Sequence, residues 1–244
     1  MADLEPPLDL LAVMAHPDDA ELLCGGTLIK SASRGKNVGV IDLTAGEMGS
    51  SGSVEIRARE SAAAGAQMGL AVRVCAGLPD AALENDHKSR LLVAALLRKF
   101  RPRVVITHWK SGRHRDHRIA SVLVRDACFL AGLRKLEVPG EPHRPNKLVY
   151  ATAFREDASP PDFVIDITEQ MDRKLDAISE YASQFDQATQ AGEVFPGGGR
   201  DLLAQIRATT AHYGSLIRTR YGEPYRTDET VEIDELSDLG VSTF

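Results

Sequence analysis

Two short clusters of histidine and aspartate carry the side chains of this sequence that are best suited to chemistry. They are His16-Pro17-Asp18-Asp19 and His114-Arg115-Asp116-His117. Imidazole and carboxylate groups together bind Zn²⁺ and similar divalent ions, and a catalytic ion commonly has three protein ligands and one open position. Because His16 and Asp19 are three residues apart, a single turn can direct both side chains to one point. His117 would then complete the set from the second cluster.

Such a ligand set would leave Asp18 and His114 unligated, and a hydrolase needs groups of this kind for acid–base chemistry. The same clusters also have structural interpretations. Asp18 or Asp19 could cap the free N–H groups of a helix, and the two histidines of the second cluster could lie on a solvated face. Residue types and spacing alone leave these interpretations open.

The composition is that of an ordinary globular chain. Of the 244 residues, 43% are hydrophobic and 26% are charged, so we expect a core large enough to hold a rigid site without disulfides. The net charge of -6 argues against a nucleic-acid or anionic-membrane partner, whose binding surface would be basic. The cysteines form no CxxC pair and no signal peptide is recognisable, which predicts a cytoplasmic protein.

Apolar runs and helical periodicity alternate along the chain. They predict strands over 8–14, 38–43, 72–75, 104–107, 148–154 and 163–167, and helices over 21–33, 54–68, 88–100, 119–130, 168–185 and 201–221. This alternation predicts one α/β, Rossmann-like domain over residues 1–244, with a mainly parallel sheet flanked by helices on both faces. A Gly-rich loop at 196–199 and an acidic tail from about 226 complete the prediction.

Both clusters follow predicted strands, at 8–14 and 104–107. Ligands of open α/β sheets bind at the carboxyl ends of the strands, so we expect the clusters to meet there. A nucleotide-binding protein with the same order of elements is an alternative. It has little support, because no G-x-G-x-x-G follows the first strand.

The segment Ala15-His16-Pro17-Asp18-Asp19-Ala20-Glu21, followed by Gly25-Gly26-Thr27, resembles the signature of the PIG-L/LmbE deacetylase family. The elements His114, Asp116 and His117 are similar to that family's second metal motif. The resemblance covers almost the whole chain and implies a GlcNAc-type N-acetyl substrate. One departure is Arg115, where many members carry proline.

The resemblance also implies a role for each of these residues. A Zn²⁺ ion, or Fe²⁺ or another divalent metal, would be held by His16, Asp19 and His117. Asp18 would be the general base, and His114 would stabilise the oxyanion or act as general acid. Asp116 would orient His114, as carboxylates near a metal ligand do.

Later motifs are similar to the bacillithiol-biosynthesis branch, which hydrolyses the acetyl group of N-acetylglucosaminyl malate. They lie within 44–47, 52–57, 174–185 and 213–225. Arg57 is the candidate for binding an anionic group such as malate, although it could equally be an exposed charge on a helix. Glu47 and Arg113 are further candidate substrate contacts.

Two other functions stay open. One is an amidase or deacetylase of another N-acyl sugar or thiol conjugate, such as a chitooligosaccharide. The other is a metal-binding protein without turnover, although mere binding would need neither Asp18 nor His114. The resemblance further implies a homo-oligomer, either a trimer or a hexamer.

Overall fold

The computed structural model describes residues 6–152, 160–185 and 201–235. Its strands are β1 (Leu10–Met14), β2 (Val38–Asp42), β3 (Val72–Cys75), β4 (Val104–His108), β5 (Lys147–Ala151), β6 (Phe163–Asp166) and β7 (Gly222–Arg226). Within these residues they form one sheet in the order β3-β2-β1-β4-β5-β7-β6. β1 to β5 pair in parallel, whereas β7 is antiparallel to both of its neighbours. The predicted mainly parallel sheet is therefore confirmed.

Helices cover both faces of this sheet. They are α1 (Asp19–Ser33), α2 (Val54–Met68), α3 (His87–Phe100), α4 (Arg115–Ala131), α5 (Met171–Ser179), α6 (Ala182–Phe185) and α7 (Leu202–Ser215), with a 3-10 turn at Thr168–Gln170. α3 and α4 enclose one buried apolar cluster with the sheet, and α1, α2 and α5 contribute to a second cluster on the opposite face. α7 packs against β6, β7 and α5. In the described part of the chain, no helix has the length and apolar character needed to cross a membrane.

Local sequence explains the ends of the helices that were predicted most accurately. The Ser53 side chain accepts the N–H of Ile56 at the start of α2, and Asp86 accepts the N–H of Ser89 at the start of α3. Gly69 ends α2 with a φ of 73°, a left-handed conformation that glycine adopts without steric cost. These residues stop and start the helices through short-range contacts, which a sequence can reveal.

Two helices begin earlier than predicted. α1 starts at Asp19 instead of residue 21, and α4 starts at Arg115 instead of residue 119. Their first residues are polar and were therefore assigned to loops, but they form helical turns at the carboxyl edge of the sheet. As a result, Asp19, Asp116 and His117 all lie in the first turn of a helix.

The C-terminal third departs further from the prediction. The predicted helix 168–185 is divided into the 3-10 turn, α5 and α6, and the predicted helix 201–221 ends at Ser215. β7 was not predicted, because Pro224 and Glu223 leave no apolar run. The predicted strand 148–154 is observed as Lys147–Ala151, and the loop at 196–199 lies outside the described residues.

The predicted tail from about 226 begins where β7 ends. Its first residues contact the body of the protein, since Lys110 Nζ donates to Asp228 at 2.8 Å and Lys147 Nζ donates to the carbonyl of Thr230 at 2.9 Å. The beginning of this acidic segment is thus held on the surface by lysines.

A buried ion pair ties β7 to the middle of α1. Glu223 accepts the N–H groups of Gly26 at 2.8 Å and Thr27 at 2.7 Å. Lys174 Nζ donates to Glu223 at 2.5 Å and to the carbonyl of Leu22 at 2.9 Å. Both charged side chains are 1% exposed. This pair explains why a strand with little apolar character has a place inside the sheet.

Replacing Lys174 by methionine should lower the free energy of unfolding by about 3 kcal/mol, because it leaves the Glu223 carboxylate buried and uncompensated. Chemical denaturation followed by circular dichroism measures the change. The control is Arg207→Met, which removes the exposed pair between Arg207 and Asp172 and should have little effect. Equal losses in the two variants would contradict this account of the buried pair.

Candidate active site

The two predicted clusters meet at the carboxyl edge of the sheet. His16 follows β1, His108 ends β4, and these two strands are parallel neighbours. β1 has β2 on one side and β4 on the other, so the order of the strands reverses there, and ligands bind at such a position in open α/β sheets. α1 and α4 also begin at this edge.

Asp19 lies at the centre of the site and is 5% exposed. Its Oδ2 atom is 3.2 Å from His16 Nδ1 and 3.3 Å from His108 Nε2, and its Oδ1 atom is 3.2 Å from His117 Nε2. Burial by itself would raise the pKa of Asp19, but the neighbouring imidazole of His117 holds that pKa well below its usual range. Asp19 is therefore ionised, which is the form that binds a cation.

The three imidazoles around Asp19 differ in which nitrogen is available. His108 Nε2 accepts the backbone N–H of Ala15 at 3.0 Å, so its lone pair is already used. Burial lowers the pKa of His108 to about 4, which keeps this ring neutral. His16 Nδ1 and His117 Nε2 each lie 3.2 Å from an oxygen of Asp19. Among the described residues, three groups have possible ligand atoms that all lie within 4.8 Å of one another: His16, His114 and His117; Asp19, His108 and His117; and His16, Asp80 and Asp116. The three predicted ligands are thus divided among overlapping groups whose residue types suit a divalent ion.

His16 is anchored on its other side by Asp80. The Nε2 atom of His16 lies 3.1 Å from Asp80 Oδ1. Burial would lower the pKa of His16, but the hydrogen bonds to Asp19 and Asp80 outweigh it and raise that pKa to about 11. Burial would raise the pKa of Asp80, and the hydrogen bond from His16 instead lowers it to about 2. The carboxylates thus create a field that favours positive charge at this position.

Asp116 adds another carboxylate to the same side of His16. Asp116 is fully buried, and its Oδ2 atom lies 3.7 Å from His16 Nε2 without a hydrogen-bond partner. Its Oδ1 atom accepts from Arg115 at 3.1 Å. The sequence predicted that Asp116 orients His114, whereas the structure places its carboxylate beside His16.

Asp18 has an unusual backbone. Its φ of 109° lies in the left-handed region, which is strained for a residue with a side chain. Arg57 Nη2 donates to Asp18 Oδ2 at 2.8 Å and to the carbonyl of Pro17 at 2.7 Å, and Arg57 Nη1 donates to the carbonyl of Gly46 at 3.2 Å. Arg57 is 5% exposed, so the structure gives this predicted substrate contact a different partner, the Asp18 carboxylate.

The other predicted residues, His114, Glu47 and Arg113, are exposed at the surface around this cluster. The His114 ring stacks on His117 with centroids 4.5 Å apart, and it meets His16 edge-on at 4.8 Å. Glu47 is exposed and accepts the N–H of Asp80 at 2.8 Å. Arg113 is exposed in the loop before α4.

Sequence reasoning missed Asp80 and His108. His108 is the last residue of β4, and Asp80 lies in the loop after β3. Each therefore lies beyond or at the carboxyl end of a strand, which is the signal that could have identified them. Neither belongs to a recognisable cluster, so spacing alone did not single them out.

Replacing Arg57 by lysine should lower the free energy of unfolding by about 1 kcal/mol, because an ammonium group cannot reproduce the contacts of the guanidinium with Asp18 and two carbonyls. Urea denaturation of the purified variant measures this. The matched control is Arg59→Lys, at an exposed position on the same helix, and it should leave the free energy of unfolding unchanged. An unchanged free energy of unfolding in Arg57→Lys would show that the contacts of Arg57 do not stabilise the strained turn at Asp18.

Residues 11–128 of the chain match the protein-family model PIG-L, which is described as GlcNAc-PI de-N-acetylase. The matched range begins in β1 and ends in α4, so it contains both histidine–aspartate clusters.

Several named proteins are similar over most of their length. The chain is 31% identical to a 1D-myo-inositol 2-acetamido-2-deoxy-α-D-glucopyranoside deacetylase from Rhodococcus erythropolis, covering 83% of this chain and 79% of that protein. It is 28% identical to the diacetylchitobiose deacetylase from Thermococcus kodakarensis, covering 89% and 82%. It is also 28% identical to a Bacillus anthracis protein named "Probable N-acetyl-alpha-D-glucosaminyl L-malate deacetylase 2", covering 76% and 84%.

A solved structure is also similar to this chain in fold. A conserved protein from Thermus thermophilus superposes with a TM-score of 0.83 at 38% identity, and the match covers 93% of this chain and 97% of that one. Sequence, fold and the arrangement of the site agree, and the chain belongs to the PIG-L/LmbE deacetylase family.

Proposed function

We propose that this protein is a metal-dependent hydrolase that removes the N-acetyl group of a GlcNAc-type substrate. The observation that carries the proposal is the convergence of His16 Nδ1 and His117 Nε2 on the Asp19 carboxylate, next to a separate carboxylate, Asp18, held by Arg57. The names of the relatives support the same reaction, because they describe deacetylases of N-acetylated amino sugars.

His16 through Nδ1, His117 through Nε2 and the carboxylate of Asp19 would hold the metal. His108 is left out of the set because its Nε2 atom accepts the N–H of Ala15. The hydrogen bond between Asp80 and His16 Nε2 is the kind of contact that orients a metal-binding imidazole. Zn²⁺ suits such a set of nitrogen and oxygen donors, and Fe²⁺ or another divalent ion would suit it too.

When bound, a divalent ion would supply Lewis acidity, which would polarise an amide carbonyl and make water more acidic. Asp18 accepts the proton of the attacking water and returns it to the leaving amine. Burial raises the pKa of Asp18 to about 8, although the charge of Arg57 opposes this, so Asp18 can exchange protons near neutral pH.

His114 stands at the rim, where it can donate a hydrogen bond to the oxyanion that forms from the amide carbonyl. Burial and the neighbouring His117 lower the pKa of His114. A neutral imidazole keeps one N–H to donate, so this role does not require the protonated ring. Asp116 contributes negative charge beside His16 and thereby helps to orient it.

We further propose N-acetylglucosaminyl malate, a small amino-sugar conjugate, as the substrate. The motifs of the bacillithiol branch and the similarity to the Bacillus anthracis protein support it. The diacetylchitobiose and inositol-linked substrates named for other relatives are the alternatives. Because Arg57 is paired with Asp18, an anionic group would be bound by the exposed Arg113, whereas Glu47, itself a carboxylate, would contact only uncharged hydroxyl groups of the substrate. Cytoplasmic location and a homo-oligomeric state, trimer or hexamer, remain predictions.

Acetate release tests the function directly. Protein treated with a chelator should be inactive, and added Zn²⁺ or Fe²⁺ should restore release from N-acetylglucosaminyl malate more efficiently than from free N-acetylglucosamine, diacetylchitobiose or the inositol conjugate. Similar release from all four would keep the deacetylase and exclude the malate specificity. No release from any of them by metal-loaded protein would contradict the function.

Two variants should separate metal binding from proton transfer. Asp18→Asn keeps the size of the side chain, and asparagine tolerates a left-handed backbone. It should retain the metal measured by atomic absorption but lower kcat by at least about 100-fold. His117→Ala should lose most of the metal and the activity together, whereas His87→Ala, at an exposed position, should lose neither. Retained turnover in Asp18→Asn would refute its role as base.

A further inference from the structure

Arg115, the first residue of α4, has an accessible guanidinium beside the site. Its side chain is 50% exposed. The Nη1 atom donates to the carbonyl of Leu83 at 2.8 Å and to Asp116 Oδ1 at 3.1 Å. The other carboxylate oxygen of Asp116 lies 3.7 Å from His16 Nε2. Only one carboxylate group therefore separates Arg115 from a proposed metal ligand, although the mechanism above gives this arginine no part.

One edge of the Arg115 guanidinium is free. Among the residues that the structure describes, no hydrogen bond joins its Nε or Nη2 atom to another group. These two nitrogens lie on the same edge of the planar group, where their N–H groups are parallel and match the two oxygens of a carboxylate. The contacts of Nη1 hold the guanidinium in place without using that edge. Two donors are thus available to an anion that arrives from solvent.

The chain around Arg115 is basic, although the protein as a whole is acidic. Residues 110–118 contain four Lys or Arg residues and one acidic residue, whereas the whole chain has a net charge of -6. All four basic residues are exposed, and one of them, Lys110, is paired with Asp228. Exposed positive charge in one segment attracts anions to this side of the site.

We propose that Arg115 determines specificity by binding a carboxylate of the substrate through Nε and Nη2. This inference rests on the proposed function and extends it. N-acetylglucosaminyl malate has two carboxylate groups, so a contact with Arg113 leaves the second one without a partner. Arg115 lies two residues further along the chain and offers the paired donors that this second carboxylate needs. An uncharged sugar gains much less from such a contact.

Proline at position 115 should remove the guanidinium and keep the backbone. At the first position of a helix, proline already has a suitable φ, and the N–H that it lacks would have no partner within the helix. His114 has a φ of -74° and a ψ of 122°, the extended conformation that is favoured before proline. Arg115→Pro is therefore a variant that we expect to fold.

Binding can be measured without turnover. Metal-loaded Asp18→Asn protein should bind N-acetylglucosaminyl malate more tightly than the neutral diamide of the same conjugate in calorimetry. Adding Arg115→Pro should reduce this preference about tenfold by weakening the binding of the malate conjugate only, because charge-assisted hydrogen bonds are lost. Adding Arg115→Lys should reduce it by a smaller factor, since lysine keeps the charge but not the paired N–H groups.

Kinetics separate recognition of the substrate from support of the site. In otherwise wild-type enzyme, Arg115→Pro should lower kcat/KM for the malate conjugate about tenfold through KM and leave kcat/KM for free N-acetylglucosamine unchanged. A role limited to holding Asp116 would lower both values equally. The matched control is Arg125→Gln, which removes an exposed charge from the same helix and should change neither value.

Three results would overturn the proposal. They are equal binding of the malate conjugate and its diamide by Asp18→Asn protein, a preference that survives Arg115→Pro, and equal losses of kcat/KM for the two substrates. If Arg115 discriminates between the conjugates but wild-type protein releases no acetate, the carboxylate contact stands and the proposed function fails. If acetate is released without this discrimination, the contact fails and the function stands.

Discussion

The site depends on one buried carboxylate. An ionised group can remain inside a protein only where positive charge or hydrogen-bond donors surround it. Asp19 accepts the backbone N–H of His16 at 2.8 Å and lies 3.2 Å from both His16 Nδ1 and His117 Nε2, with the neutral His108 ring beside them. In the sequence, His16 is about 100 residues away from His108 and His117. The parallel pairing of β1 with β4 brings His16 and His108 together, and the start of α4 at the same edge adds His117. The arrangement of the sheet is therefore what makes the charge of Asp19 tolerable.

Helix α1, which carries Asp19, is restrained at two places along its length. At its start, the left-handed backbone of Asp18 costs about 1–3 kcal/mol, and Arg57 offsets part of this through its contacts with the turn. In its middle, the pair of Lys174 and Glu223 holds backbone groups of α1. There a Cβ atom on Gly26 would come within 2.8 Å of the Ile167 side chain, so this close approach requires glycine. A carboxylate that must stay aligned with two imidazoles needs a support of this rigidity.

Three departures from the local rules of folding lie at the edge of the sheet that carries the site. The strained backbone of Asp18, the unpaired carboxylate oxygen of Asp116 and the unpaired hydroxyl of Thr152 all lie there. The apolar clusters on the two faces of the sheet consist of ordinary aliphatic and aromatic packing. Natural proteins break such rules mainly where function requires it. The packing of the two apolar clusters stabilises the fold enough to offset the free energy lost at this edge.

The α/β order of elements and the candidates His16, Asp18, Asp19 and His117 could be predicted from the amino-acid sequence, because apolar runs, helical periodicity and short clusters are local signals. The inclusion of β7, the pairing of Arg57 with Asp18, and the presence of Asp80 and His108 at the site follow only from the folded structure. Each of these depends on partners far away in the chain. An isolated aspartate, a buried arginine or a short polar strand has no periodic or clustered signature, and its energy depends on neighbours that only the folded chain provides.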